Sequence, residues 1–149
     1  MSLIYKKGDL LQAKEDAICH GVNCMGVMGA GVAKQIARVF PEAEVRYKKL
    51  CLLARSKSTT KDLLGVIQAV KIDETLIINM FTQYDYGRSK RHADYKAIED
   101  AFERLNELEL RSVAICKIGA GLAGGDWQII EKIILSKMNP ETVVIVYEL

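Results

Sequence analysis

The sequence predicts a single α/β domain in which helices flank a mixed sheet, and three observations carry that prediction. Short apolar strand patterns alternate with longer helical ones through most of the chain. Two strand patterns, at residues 17–22 and 112–116, end in glycine-rich turns that run straight into helical spacing. The chain has 149 residues, half of them hydrophobic, which suits one globular domain with a substantial core. A domain spanning residues 1–149 needs no second unit beside it.

The elements follow in order. Residues 3–6 form a short strand pattern that stops at Gly8-Asp9, before Leu10 and Leu11. Asp9 is a loop-edge carboxylate whose first-ranked role is to cap the turn after it. Residues 17–22 read as a buried strand, with His20 and Asn23 at its exit, the edge where open α/β sheets bind ligands. The glycine turn follows, and then Val32, Ile36 and Phe40 recur at helical spacing. Pro41 opens a second helix over residues 42–55, with Val45, Tyr47, Leu50, Leu52 and Leu53 assigned mainly to one side. A polar surface loop at 55–62 leads to strands at 65–72 and 75–80, which Asp73-Glu74 could join as a hairpin.

Residues 81–91 form a loop carrying Tyr84, Tyr86, Asp85 and the cations Arg88, Lys90 and Arg91. That mixture suits the base, ribose and phosphates of a nucleotide, and equally a solvated loop. Residues 92–108 are an amphipathic helix with Tyr95, Ile98, Phe102 and Leu105 facing the core. After the strand at 112–116 and the turn at 117–125 comes a helix over 127–138, with Asp126 at its N-cap, a role that ranks above catalysis for that residue. Asn139-Pro140 breaks this helix, and residues 142–147 make the last strand.

Composition narrows the function. Lys and Arg number 21 against 19 Asp and Glu, a balance too even to wrap duplex nucleic acid but suited to a small anionic ligand. No apolar run is long enough to span a bilayer and the amino terminus lacks a signal core, so a cytoplasmic protein is expected. Cys19, Cys24, Cys51 and Cys116 show no zinc spacing, and reduced thiols are expected. No metal, no cofactor and a monomeric chain complete the expectation.

The glycine turns carry the chemistry. Gly26, Gly29 and Gly31 in the first, and Gly119, Gly121 and Gly124 in the second, let backbone N–H groups turn inward. A helix N-terminus behind each turn adds unpaired donors and positive dipole. The second turn satisfies the dinucleotide spacing G-x-G-x-x-G with Glu148 downstream, but too little chain follows to hold a nicotinamide or flavin. The first has Val32 after Gly31 where a nucleotide triphosphatase needs lysine, and Ala30 where a cysteine phosphatase built on Cys24 needs arginine. Two anion cradles able to clamp a diphosphate remain.

Taken together, Gly8-Asp9-Leu10, His20-Gly21-Val22-Asn23 running into Gly26 to Gly31, and Ile118-Gly119-Ala120-Gly121-Leu122 before a helix resemble the macro domain, an ADP-ribose-binding fold. The resemblance covers essentially the whole chain and is nearest to the small ADP-ribose-1''-phosphate phosphatases, which have a histidine where His20 stands and a Phe-Thr strand end like Phe81-Thr82. It implies helices on both faces of the sheet. It also implies Asp9 at the adenine amino group, Asn23 at the distal ribose, Gly29, Ala30, Gly31 and Val32 with Gly119, Ala120, Gly121 and Leu122 at the phosphates, Tyr84 against a ribose, and Leu10, Phe81 and Thr82 among the ligand contacts. The sequence departs from the related glycohydrolases at Gln83, where they have lysine, and at Ala123, where they have aspartate.

The activity expected from this resemblance is hydrolysis of ADP-ribose 1''-phosphate to ADP-ribose and phosphate. His20 is the expected acid or base, Asn23 orients the ribose, and Asp126 or Asp85 could serve as a carboxylate partner. A non-catalytic ADP-ribose reader and a hydrolase removing ADP-ribosyl or acyl groups are the alternatives.

Overall fold

The computed structural model describes residues 3–87 and 90–149. Arg88, one of the cations expected in the 81–91 loop, lies outside the described residues. Among the described residues the strands are β1 (Ile4–Lys7), β2 (Ala17–Asn23), β3 (Ile67–Ile72), β4 (Thr75–Gln83), β5 (Ser112–Ile115) and β6 (Val143–Glu148). The helices are α1 (Gly31–Val39), α2 (Pro41–Ser56), α3 (Tyr95–Leu105) and α4 (Trp127–Lys137). The sheet order is β1-β6-β5-β2-β4-β3, parallel throughout except for the antiparallel β3–β4 pair. This is the mixed sheet expected from the alternation of patterns.

Helices cover both faces, so the central strands are apolar on both sides. Cys19, Ile78, Met80, Val113, Ile115, Val144 and Val146 pack with Ile98 and Phe102 of α3 and Ile130 and Ile134 of α4. On the other side Val22 and Phe81 pack with Tyr47, Cys51 and Ala54 of α2, while Ile18, Ile77 and Ala114 pack with Ile36 of α1 and Ala43 of α2. Leaving β2, the chain reaches β4 on one side and then crosses to β5 on the other. That reversal opens a crevice at the carboxyl ends of these strands.

The structure corrects three boundaries or faces. β4 runs on through Phe81 and Thr82 to Gln83, because its parallel ladder with β2 continues as Val22↔Phe81 and Asn23↔Gln83. α3 starts only at Tyr95, where Asp94 caps it by accepting from the Ala97 N–H at 3.0 Å, and ends in a 3-10 turn at Leu108. On α2 the buried residues are Ala43, Tyr47, Cys51 and Ala54, and the larger Val45, Leu52 and Leu53 face solvent. Small side chains let the helix lie close to the sheet, with one tyrosine reaching through.

A polar cluster lies beneath α2. His20 pairs in register with Asn79, and its Nε2 lies 2.6 Å from Asn79 Oδ1. Asn79 Nδ2 donates to the Ala43 carbonyl at 3.2 Å and to Gln68 Oε1 at 3.0 Å. The His20 ring is fully buried, and its Nδ1 has no partner. Burial lowers the His20 pKa to about 4, against a smaller upward pull from Asn79.

This cluster makes the fold acid-sensitive. The unfolded imidazole binds a proton near pH 6.5 and the folded one only near 4, so the unfolded state holds more protons between those values. Stability from this group is therefore full above pH 6.5 and falls by about 3 kcal/mol as the pH drops to 4. Urea unfolding between pH 7 and 5 should show about 2 kcal/mol of this loss in the native chain and a flatter profile in His20→Gln. Equal slopes would remove His20 as the cause.

Candidate functional site

At the carboxyl end of β2 the register slips between Val22 and Asn23, and the chain turns into the first glycine loop. The Tyr47 hydroxyl of α2 sits inside that turn. It lies 2.7 Å from both the Asn23 carbonyl and Asn23 Oδ1, and it accepts from the Gly26 and Val27 N–H groups at 3.1 Å each. The Asn23 side chain closes the turn from within, accepting from Met25 N–H at 2.9 Å and donating to the Val27 carbonyl at 2.9 Å. Gly26 takes φ +81°, which a side chain would strain. Burial pushes the Tyr47 pKa up, so the phenol stays protonated.

Beyond this pinned turn, α1 begins at Gly31 with Ala30 as an N-cap that makes no side-chain bond. Gly31, Val32 and Ala33, its first turn, line a cavity of about 700 Å³. The second glycine loop lines the opposite wall with Ile118, Gly119, Ala120, Gly121, Leu122 and Ala123. A Cβ on Gly31 would lie 3.5 Å from Leu122 Cδ1, so the loops approach each other directly. Gly119 has φ +80°, and a Cβ there would come within about 3.1 Å of both Ile98 and Ile130, so the turn and its packing demand glycine. A Cβ on Gly121 would meet nothing within 4 Å.

A second pocket of about 190 Å³ continues the groove, lined by Gly8, Asp9, Leu10, Leu11, Gln35, Tyr147 and Leu149. Val32 and Cys116 line both spaces, which makes them adjoining parts of one surface. Asp9 caps the turn after it by accepting from Leu11 N–H at 3.0 Å, and it also lines this pocket.

Most of the expected ligand-binding positions come together here: Asp9, Leu10, Asn23, Gly29, Ala30, Gly31, Val32, Gly119, Ala120, Gly121 and Leu122 all line one of the two spaces. Other expected positions do not. His20 is sealed beneath α2 with its ring on Asn79 and lines neither pocket. Asp126 is an exposed N-cap accepting from Gln128 N–H at 2.9 Å, and it too lies outside the cavity lining. Phe81 and Thr82 are fully buried in the sheet. Tyr84 is half-buried under the Lys61 ammonium, and Tyr86 lines the cavity in its place. Asp85 accepts from the Tyr86 N–H at 2.8 Å at the exposed loop surface.

The cavity wall also includes Val27, Gln83, Gly87 and Lys117, which composition and spacing did not mark as ligand contacts. Lys117 is the one charged side chain among the described lining residues, and its Nζ lies 3.2 Å from Glu148 Oε2. An anion in this cavity would therefore be held largely by main-chain N–H groups. Among the described residues no cluster of His, Cys, Asp and Glu could hold a metal, and no helix is long and apolar enough to cross a membrane.

Comparison with known proteins gives a consistent picture. The family model described as "Macro domain" matches residues 19–134. The DNA ADP-ribosyl glycohydrolase of Mycobacterium tuberculosis is 30% identical over 149 residues, covering 97% of this chain but only 42% of its own length. The ADP-ribose 1''-phosphate phosphatase of Meyerozyma guilliermondii is 30% identical over 129 residues, covering 77% of this chain and 72% of its own. Among solved structures, the macrodomain of M. tuberculosis DarG superposes with a TM-score of 0.80 at 30% identity, covering 99% of this chain and 97% of that one.

Tyr47→Phe tests the pinned turn. It keeps the ring contact with Phe81, whose centroid lies 5.7 Å away, and removes the hydroxyl that Gly26 and Val27 donate to. The expected loss is about 1–3 kcal/mol of stability, with faster hydrogen exchange confined to the amides of the 23–27 turn. Unchanged exchange there would show that the turn holds itself.

Proposed function

Since the chain belongs to the Macro domain family, we propose that its groove binds ADP-ribose in extended form along the carboxyl edge of the sheet. The carrying observation is the pair of glycine loops facing each other across one cavity, with a smaller pocket adjoining it. In this reading adenine occupies the smaller pocket beside Asp9. The diphosphate lies between the first turn of α1 and the 118–122 loop, where free N–H groups and the helix dipole favour negative charge. The distal ribose then faces Asn23, Gln83, Tyr86 and Ala123.

The reaction assigned to the distal end is hydrolysis of ADP-ribose 1''-phosphate, in which water attacks the phosphorus, the bond from phosphorus to the 1''-oxygen breaks, and that oxygen leaves on ADP-ribose with a proton from the water. Main-chain donors arranged around a phosphoryl group stabilise charge that grows in the transition state, without a resident ionisable group. His20 has no part in this step, because its ring is closed off from the cavity and committed to Asn79. The Gln83 amide, which donates to the Asp85 carbonyl at 2.7 Å, and Ala123 supply no ionising group for cleaving ADP-ribose from a macromolecule. A non-catalytic reader is the second reading. It draws support from the absence of any carboxylate or imidazole among the described residues lining the larger cavity.

Phosphate release from ADP-ribose 1''-phosphate, followed beside calorimetry with ADP-ribose, separates the two. Turnover in the native chain that persists within about twofold in His20→Gln supports the phosphatase with an uninvolved histidine. Tight binding without release selects the reader. Gly121→Ala should fold normally, since its Cβ meets no protein atom, yet weaken ADP-ribose binding by about tenfold through crowding of the ligand. Unaltered affinity would move the diphosphate away from this loop.

A further inference from the structure

The first helix runs from the larger cavity into the smaller pocket. Gly31, Val32 and Ala33 line the cavity, Val32 and Gln35 line the pocket, and Lys34 lines neither. Three residues apart on α1, Val32 and Gln35 stand one above the other on a single strip of helix surface, and helical side chains lean toward the amino end. Gln35 therefore overlooks the smaller pocket from the second turn, beyond the part of the helix that faces the cavity.

Among the described lining residues, Asp9, Gln35, Cys116 and Tyr147 bring polar or thiol side chains to that pocket. The Tyr147 hydroxyl gives its one proton to Glu15 Oε1 at 2.6 Å. Burial pushes the Cys116 thiol up to about 12, which leaves it a neutral and weak donor. One Asp9 oxygen is taken by the Leu11 N–H at 3.0 Å. The second Asp9 oxygen remains, together with the whole amide of Gln35, which is exposed and bonded to no other described side chain.

Resting on the placement of adenine in this pocket, we infer that Gln35 reads the N6–N7 edge of the base and is a specificity-determining residue for an intact adenine ring. Adenine carries two protons on its 6-amino nitrogen and an acceptor, N7, beside one of them. The free Asp9 oxygen accepts the proton on the side away from N7. The Gln35 carbonyl oxygen accepts the other, while its NH2 group donates to N7, the paired bond that glutamine makes to adenine where that edge is open. A carboxylate has no proton to give N7, so Asp9 cannot fill this second role. Asp9 thus reads the amino group and Gln35 the ring nitrogen next to it, and the two contacts can be removed separately.

The test compares ADP-ribose with its 7-deaza-adenine analogue, in which a C–H replaces N7 and the amino group stays. Dissociation constants measured calorimetrically on the full chain should favour ADP-ribose by about fivefold, as expected for one hydrogen bond. Gln35→Ala, at an exposed helical position that suits alanine, should fold normally, bind ADP-ribose about tenfold more weakly and bring the ratio close to one. Gln35→Glu, which sets an acceptor against N7 in place of a donor, should turn the ratio in favour of the analogue. Equal binding of both ligands by the native chain, a ratio unaltered in Gln35→Ala, or an undiminished preference for ADP-ribose in Gln35→Glu overturns the inference while leaving the ADP-ribose site in place. Failure of the native chain to bind either ligand overturns that site reading, and this inference with it.

Discussion

The groove depends on one buried hydroxyl. Tyr47 reaches from α2 to the place where β2 stops pairing regularly, and its oxygen meets the Asn23 carbonyl, the Asn23 side chain and the N–H groups of Gly26 and Val27. A glycine-rich turn on its own has many conformations of similar energy. Tied to a helix that is itself packed on the sheet, it has one, and α1 then starts from a fixed point. The same phenol carries its ring into the core beside Phe81. The same residue thus takes part in core packing and, with the Asn23 side chain, in the shape of the first loop.

The cavity that results handles charge in an uncommon way for a site fitted to a multiply charged ligand. One described side chain on its wall is charged, and that ammonium already has a carboxylate partner. Donors are supplied instead by backbone, which costs no side-chain ordering when a ligand arrives. Backbone donors recognise an anion's geometry as much as its charge, and they do so with little dependence on pH. His20, on the strand that leads into the first loop, is spent on the interior, where it joins β2, β4 and α2 through Asn79.

Much of this was legible in the sequence because strands that end at glycines announce themselves. β2, β5 and the helices after them follow from apolar runs, turn residues and the return of helical spacing. Less legible was the direction of single side chains. Alternation along β2 puts His20 with Ile18 and Val22, while Asn23, past the register slip, spends its side chain on the turn through Tyr47, Met25 and Val27, so the two polar residues of one strand exit serve different purposes. The signal for His20 lay elsewhere, in Asn79, a second polar residue inside an apolar strand and its register partner. On α2 the apolar residues surround the helix, so periodicity alone did not mark the face: Ala43, Tyr47, Cys51 and Ala54 are buried, while Val45, Leu52 and Leu53 face solvent. Lys117 and Tyr86 gave no periodic signal, since loop positions follow from tertiary approach alone.

The parallel sheet also separates the molecule's two rims. The crevice occupies the rim where β2, β4, β5 and β6 finish, whereas the two-residue connection between β3 and β4, with Asp73 at φ +53°, lies on the rim where β4 begins. That connection shares no residue with either pocket. A fluorophore, an affinity handle or a fused partner attached at Asp73 or Glu74 would hang from the far side of the fold. The chain could be anchored to a sensor chip there with its mouth turned outward to the solution.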